Sequence, residues 1–158
     1  MADNEAIGLG VDGLKGRGVT GLAKADYNAD GFVDLIAVTS PTADNMIATP
    51  ALFRNNGNSN NSVSIRLEGI TRPNGPSSNR MAIGARVEII DDTGAFQARE
   101  IWAGSSFASS ESPWPVFGLG RATRVDATVY WPSGIAELFE GLPAGEMHHL
   151  LEGTGTQL

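Results

Sequence analysis

Cysteine is absent from the 158 residues, which removes disulfide staples, zinc–thiolate sites and thiol nucleophiles and leaves the redox compartment open. Basic side chains are scarce: 11 lysines and arginines stand against 18 acids, for a net charge of −7. A surface of that sign repels phosphate, so neither nucleic acid nor an anionic membrane is an expected partner. No apolar run approaches the roughly 20 residues that cross a bilayer, so no membrane insertion is expected. The start, Met1-Ala2-Asp3-Asn4-Glu5, has neither the basic nor the apolar region of a signal peptide. The chain is then either cytosolic or a piece of a longer secreted one. Convincing helical periodicity is also missing beyond a turn or two.

What is abundant is punctuation. The 20 glycines and 8 prolines favour many tight turns, and a hydrophobic fraction of 41% suffices for a core. After a glycine-rich start that reads as frayed, apolar and partly β-branched runs cover Val19 to Ala25 and Phe32 to Thr39. A polar stretch leads to Pro50, and Ala51-Leu52-Phe53-Arg54 reads as a short strand. Asn55 to Asn61 is a turn or linker rich in residues that tolerate positive φ, and marks the best domain boundary. Beyond it Val63, Ile65 and Leu67 alternate with Ser64, Arg66 and Glu68, the pattern of a half-buried strand. Further strands are expected at Ala85 to Ile90, Phe96 to Trp102, Val125 to Trp131, Ile135 to Phe139 and Met147 to Leu151. Asp92-Thr93-Gly94 and Pro132-Ser133-Gly134 supply the hairpin turns. The expected class is all-β, a sandwich or barrel-like domain with an N-terminal β-hairpin packed on it.

The loop of that hairpin concentrates oxygen. Asp26, Asn28 and Asp30 alternate, Gly31 permits a sharp turn, and Asp34 follows. Calcium takes six to eight oxygens at about 2.3–2.6 Å. Those side chains, with a backbone carbonyl near Phe32, can supply them. The helix–loop–helix calcium motif ends on Glu at its twelfth position, but the twelfth residue counted from Asp26 is Ala37. The closing carboxylate arrives early, at Asp34, between two strands. Calcium is the expected ion, since magnesium demands a rigid octahedron. The plainer reading is a solvated turn in which Asp and Asn serve only turn geometry.

Other side chains carry weaker signals. Trp114, stiffened by Pro113 and Pro115, is the candidate sugar platform, with Trp102 second, although a packed loop anchor is at least as common a use. Trp131 reads as core. Arg86 and Arg99, with Glu100, form either a charged ligand groove or ordinary surface pairs. His148 and His149 are adjacent on a strand, so they point to opposite faces and cannot share an ion. The serines from 105 to 112 lack a nucleophile elbow and a positioned base.

Gly18-Val19 through Asp34-Leu35, followed by Leu52-Phe53-Arg54-Asn55-Asn56-Gly57, resembles an FG-GAP (VCBS-type) repeat. The remainder resembles the ASPIC/UnbV domain, through Ile83-Gly84-Ala85-Arg86-Val87, Gly104-Ser105, Phe107, Ser109, Pro113, Phe117-Gly118-Leu119-Gly120, Val125-Asp126 and Trp131-Pro132-Ser133-Gly134. Met81-Ala82 departs from a usual Asp-Gly, Ser106 from Gly, and Trp114 and Val116 from Arg and His. The resemblance implies calcium in the loop, an extracellular setting, and binding or adhesion instead of catalysis. Residues 1–60 would form a partial repeat and 61–158 the β domain. A lone repeat cannot bury its apolar face, so one shared core is expected. The expected function is a non-catalytic, calcium-binding extracellular module with carbohydrate as ligand. The alternative is a structural or adhesive domain that binds an extracellular protein and uses calcium as a staple. A hydrolase is the least favoured reading.

Overall fold

A computed structural model describes residues 18–41 and 50–158. The expectations for the glycine-rich start and for most of the polar stretch before Pro50 lie outside the described residues. The described chain is all-β, with no helix. It divides into two compact units. One takes the chain up to Asn58 together with Gly104–Ser112, and the other takes Ser59–Ala103 and Pro113–Leu158.

Unit one is a three-stranded antiparallel sheet in the order β1 (Gly18–Ala25), β2 (Asp34–Ser40), β3 (Ala51–Phe53). The Gly104–Ser112 excursion lies along β1. Ser112 N donates to the Lys24 carbonyl at 3.3 Å, and Lys24 Nζ meets Glu111 at 3.3 Å. Among the described residues of this unit, Ala37 is the one fully buried apolar side chain.

Unit two is a β-sandwich. Its smaller sheet has the order β10 (Met147–Leu151), β4 (Asn61–Glu68), β7 (Val116–Gly120). The larger has the order β11 (Thr156–Gln157), β9 (Ala136–Pro143), β8 (Arg124–Tyr130), β5 (Arg86–Asp91), β6 (Phe96–Glu100). The alternation along β4 does what its period dictates: Val63, Ile65 and Leu67 go inward, where Phe117, Leu119 and Leu150 join them. Val87, Ile89, Val125, Ala127, Val129 and Trp131 supply the opposing layer. All neighbouring strands pair antiparallel except β10 on β4, which is parallel.

Turn chemistry fixes the register. Asp91 Oδ1 accepts from Thr93 N (2.9 Å), Thr93 Oγ1 (2.6 Å) and Ala95 N (3.0 Å), closing the β5–β6 hairpin at the turn expected from Asp92-Thr93-Gly94. The Thr93 hydroxyl leads the donors that hold the Asp91 carboxyl below its usual range. Ala82 takes φ 52° and is wholly buried. That left-handed conformation costs an ordinary side chain roughly 1–2 kcal/mol.

The strongest polar tie is Glu152, which has no exposed surface. Its Oε1 accepts from Arg72 Nη1 (2.8 Å) and Ser133 Oγ (2.6 Å), and its Oε2 from Ile70 N (2.8 Å). Burial alone would raise its pKa. The Arg72, Ile70, Ser133 and Ser78 donors outweigh that and bring it from 4.5 down to about 2.

Because the folded value is depressed, the stabilisation is complete above the unfolded value of 4.5 and disappears as pH falls through about 2. Acid titration monitored by circular dichroism should therefore show a loss of stability across that window, and Glu152→Gln should flatten it. Glu152→Ala, which strands Arg72, is expected to cost roughly 3 kcal/mol in denaturant unfolding. A cost under roughly 1 kcal/mol would mean the tie is incidental.

Candidate functional site

The loop between β1 and β2 has the backbone that its composition requires. Ala29 and Gly31 take φ 57° and 86°, reversing the chain so that side-chain oxygens turn back onto backbone amides. Asp26 Oδ1 accepts from Asp30 N at 3.1 Å, and Asp26 Oδ2 from Gly31 N at 2.8 Å. Asn28 Oδ1 lies 3.4 Å from the same Asp30 amide, so Asp26, Asn28 and Asp30 are brought together. Asp30 Oδ1 accepts from Phe32 N (3.0 Å), while its Oδ2 receives Asn28 Nδ2 (2.8 Å) and Arg54 Nη2 (3.4 Å). The Asn28 amide first, then the Phe32 amide and Arg54, hold the Asp30 carboxyl below its usual range.

Asp34 is placed differently. It is only 2% exposed, and its oxygens accept from Tyr27 N (3.1 Å) and Asn55 N (2.7 Å). It clamps the loop's entry to the segment after β3. Phe32 contributes its ring as well as its backbone. A Cβ added at Gly57, itself at φ 69°, would sit 2.8 Å from the Phe32 ring, so the ring packs against a position that favours glycine.

As a cation site, the loop has suitable donor chemistry, since a carboxylate oxygen with one N–H partner keeps a lone pair for an ion. Asp26, Asn28 and Asp30 would supply the side-chain oxygens. Asp34, turned to backbone amides, would close the loop from behind. Among the described residues, however, no three carboxylates or imidazoles gather closely enough to hold an ion by themselves. The loop's acids are folded around its own amides and Arg54.

The other candidate residues do not form one site. Arg86 pairs in register with Glu100 and Tyr130, and its Nη2 lies 2.7 Å from Glu88. Arg99 pairs with buried Val87, so it points to the opposite face of the larger sheet, and its guanidinium lies 5.5 Å from the Phe117 ring centre. Arg86 and Arg99 are therefore separated by the sheet. Trp102 is 65% exposed and Trp114 42%, but Arg66 stacks over the Trp114 ring at 5.3 Å. Trp131 is core, 3% exposed, with an indole N–H that finds no partner. Sequence reasoning missed Arg66. The signal was available in its outward position on β4, but nothing in the sequence tied it to Trp114.

Neither histidine is placed to activate a serine. His148 Nε2 lies 2.7 Å from the Pro143 carbonyl, and His149 Nε2 lies 2.9 Å from Glu68.

The geometry defines an all-β protein with a two-sheet sandwich and a separate acidic-loop hairpin sheet. Residues 75–157, just over half of the chain, match the family described as ASPIC and UnbV, and the chain belongs to that family. It is also 30% identical over 138 residues to Cartilage acidic protein 1 of Homo sapiens. That match covers 87% of this chain and 19% of the relative, so the chain spans about a fifth of that protein's length.

Asp34→Ala should release both amides it holds. Faster hydrogen exchange at Tyr27 and Asn55, with a loss of roughly 2 kcal/mol, is the expected result. Unchanged exchange at those two amides would show that the clamp is not needed.

Proposed function

We propose that this chain is a non-catalytic module of an extracellular protein that binds another protein through the open face of its three-stranded sheet. One observation carries the reading. Ile36, Val38 and Leu52 share a face, since Leu52 pairs with Ile36 and Val38 lies two residues on, and they are 42%, 46% and 51% exposed. Contiguous apolar surface of this kind marks interaction sites. The extracellular placement draws on family membership and on the cartilage in the relative's name.

In this reading the β1–β2 loop is an FG-GAP-like calcium loop, and calcium acts as a staple that replaces Arg54 as the counter-charge of Asp30. The engaged histidines support a role without catalysis. Carbohydrate is the second reading, favoured by the exposure of Trp102 and Trp114.

The sheet reading is tested by screening the chain and its Ile36→Glu/Leu52→Glu variant against a display library of extracellular proteins. The expected result is a partner retained by the parent chain and lost by the variant. Equal retention, or no partner at all, would count against it. For the loop, calcium at a hundredfold excess over its dissociation constant should stabilise the fold by about 2.7 kcal/mol. Asp30→Ala should abolish that gain, and a melting temperature indifferent to chelator would remove the staple.

A further inference from the structure

The outward face of the smaller sheet of unit two carries an arginine without a carboxylate. Along β4 the residues alternating away from the core are Ser64, which is itself buried, and the half-buried Arg66 and Glu68, and the β10 residue in register with Arg66 is His149. Glu68 is spoken for twice: His149 Nε2 lies 2.9 Å from its Oε2, and Arg80 Nε lies 3.5 Å from its Oε1. Arg66 has no ion pair among the described residues. Its guanidinium is laid over the Trp114 indole at 5.3 Å, and Trp114 is still 42% exposed. Arg80 and His149 thus occupy the Glu68 carboxylate, and Arg66, two residues away on the same strand, is left as a cation with no acid of its own on a chain of net charge −7.

We infer that Arg66 and Trp114 form a recognition site for the carboxylate of a uronic acid residue within an otherwise neutral oligosaccharide. The indole, 5.3 Å from the guanidinium carbon, restrains the Arg66 side chain before any ligand arrives, so N–H donors not engaged in an ion pair can take a carboxylate in bidentate fashion at reduced entropic cost. The exposed part of the indole beside it offers an apolar surface to the C–H groups of a pyranose ring. A flexible acidic peptide side chain has no flat apolar body to use that surface. A densely charged polyanion is opposed by the acidic surface as a whole, whereas a single carboxylate among neutral sugars is not. The inference uses unit two alone and is independent of the protein-binding reading of unit one.

The test is calorimetric titration of the whole chain with three probes: a xylotriose bearing one 4-O-methylglucuronate, unsubstituted xylotriose, and a short neutral peptide containing one glutamate. The substituted sugar should bind about tenfold or more tightly than either of the others. Arg66→Ala should lose that margin. Arg66→Lys, which keeps the charge and loses the planar fork, should lose most of it. Arg86→Ala, which removes an exposed arginine already paired with Glu88, should leave binding unchanged. If Arg66→Ala fails to fold, as judged by its melt, Arg66→Lys and Trp114→Phe carry the comparison. No binding of the substituted sugar, equal binding of xylotriose, tighter binding of the peptide, or full affinity in Arg66→Lys would each overturn the inference.

Discussion

A wholly buried carboxylate must be supplied with donors or it destabilises what surrounds it, and the donors to Glu152 tie together three separate stretches of chain. Ile70 and Arg72 come from the loop after β4, Ser133 from the turn between β8 and β9, and Glu152 itself follows β10. The backbone takes part as well, since Glu152 N donates to the Glu68 carbonyl at 3.0 Å and continues the parallel β10–β4 ladder by one step. The two sheets of the sandwich share an apolar core that is non-directional. The Glu152 tie adds direction, because its oxygens accept only from donors arriving at the right angles. Glu137, 2% exposed, repeats the device next door by accepting from Gly153 N.

Carboxylates serve as backbone acceptors throughout the molecule. Asp91 closes one hairpin, Asp92 receives Thr123 N and Oγ1, Asp126 receives Gly141 N, and Asp34 clamps the acidic loop. A chain with no disulfide and few cations for pairing spends its acids on amide N–H groups that the many tight turns leave unpaired. The acidic loop is the densest example, with Asp26, Asn28 and Asp30 folded onto the loop's own amides.

Much of the strand pattern was readable because alternation is a local signal. β4, β5, β8 and β10 fall where the apolar period predicts them, and the Asp92-Thr93-Gly94 and Pro132-Ser133-Gly134 turns close as expected. The strand β7 was not read as one, because Gly118 and Gly120 dilute the β signal of Phe117 and Leu119. Its strand character comes from pairing with β4, a partner distant in sequence. β11 is two residues long and exists only as an edge on β9. The candidate site was legible in part. Alternating Asp and Asn identified the loop and its turn, but not that Asp34 would be buried against Asn55, which depends on where β3 ends.

The sequence by itself determined the class, the positions of the turns and the acidic loop, because turn propensity and side-chain period act over a few residues. It also assigned Trp131 to the core, where the indole is buried. Only the tertiary structure decided which side chains meet. It put Arg86 and Arg99 on opposite faces, laid Arg66 across Trp114, drew Ile70, Arg72 and Ser133 to Glu152, and left Ile36, Val38 and Leu52 uncovered. Those outcomes depend on strand order and register, which are set by pairings between distant segments that no local pattern encodes.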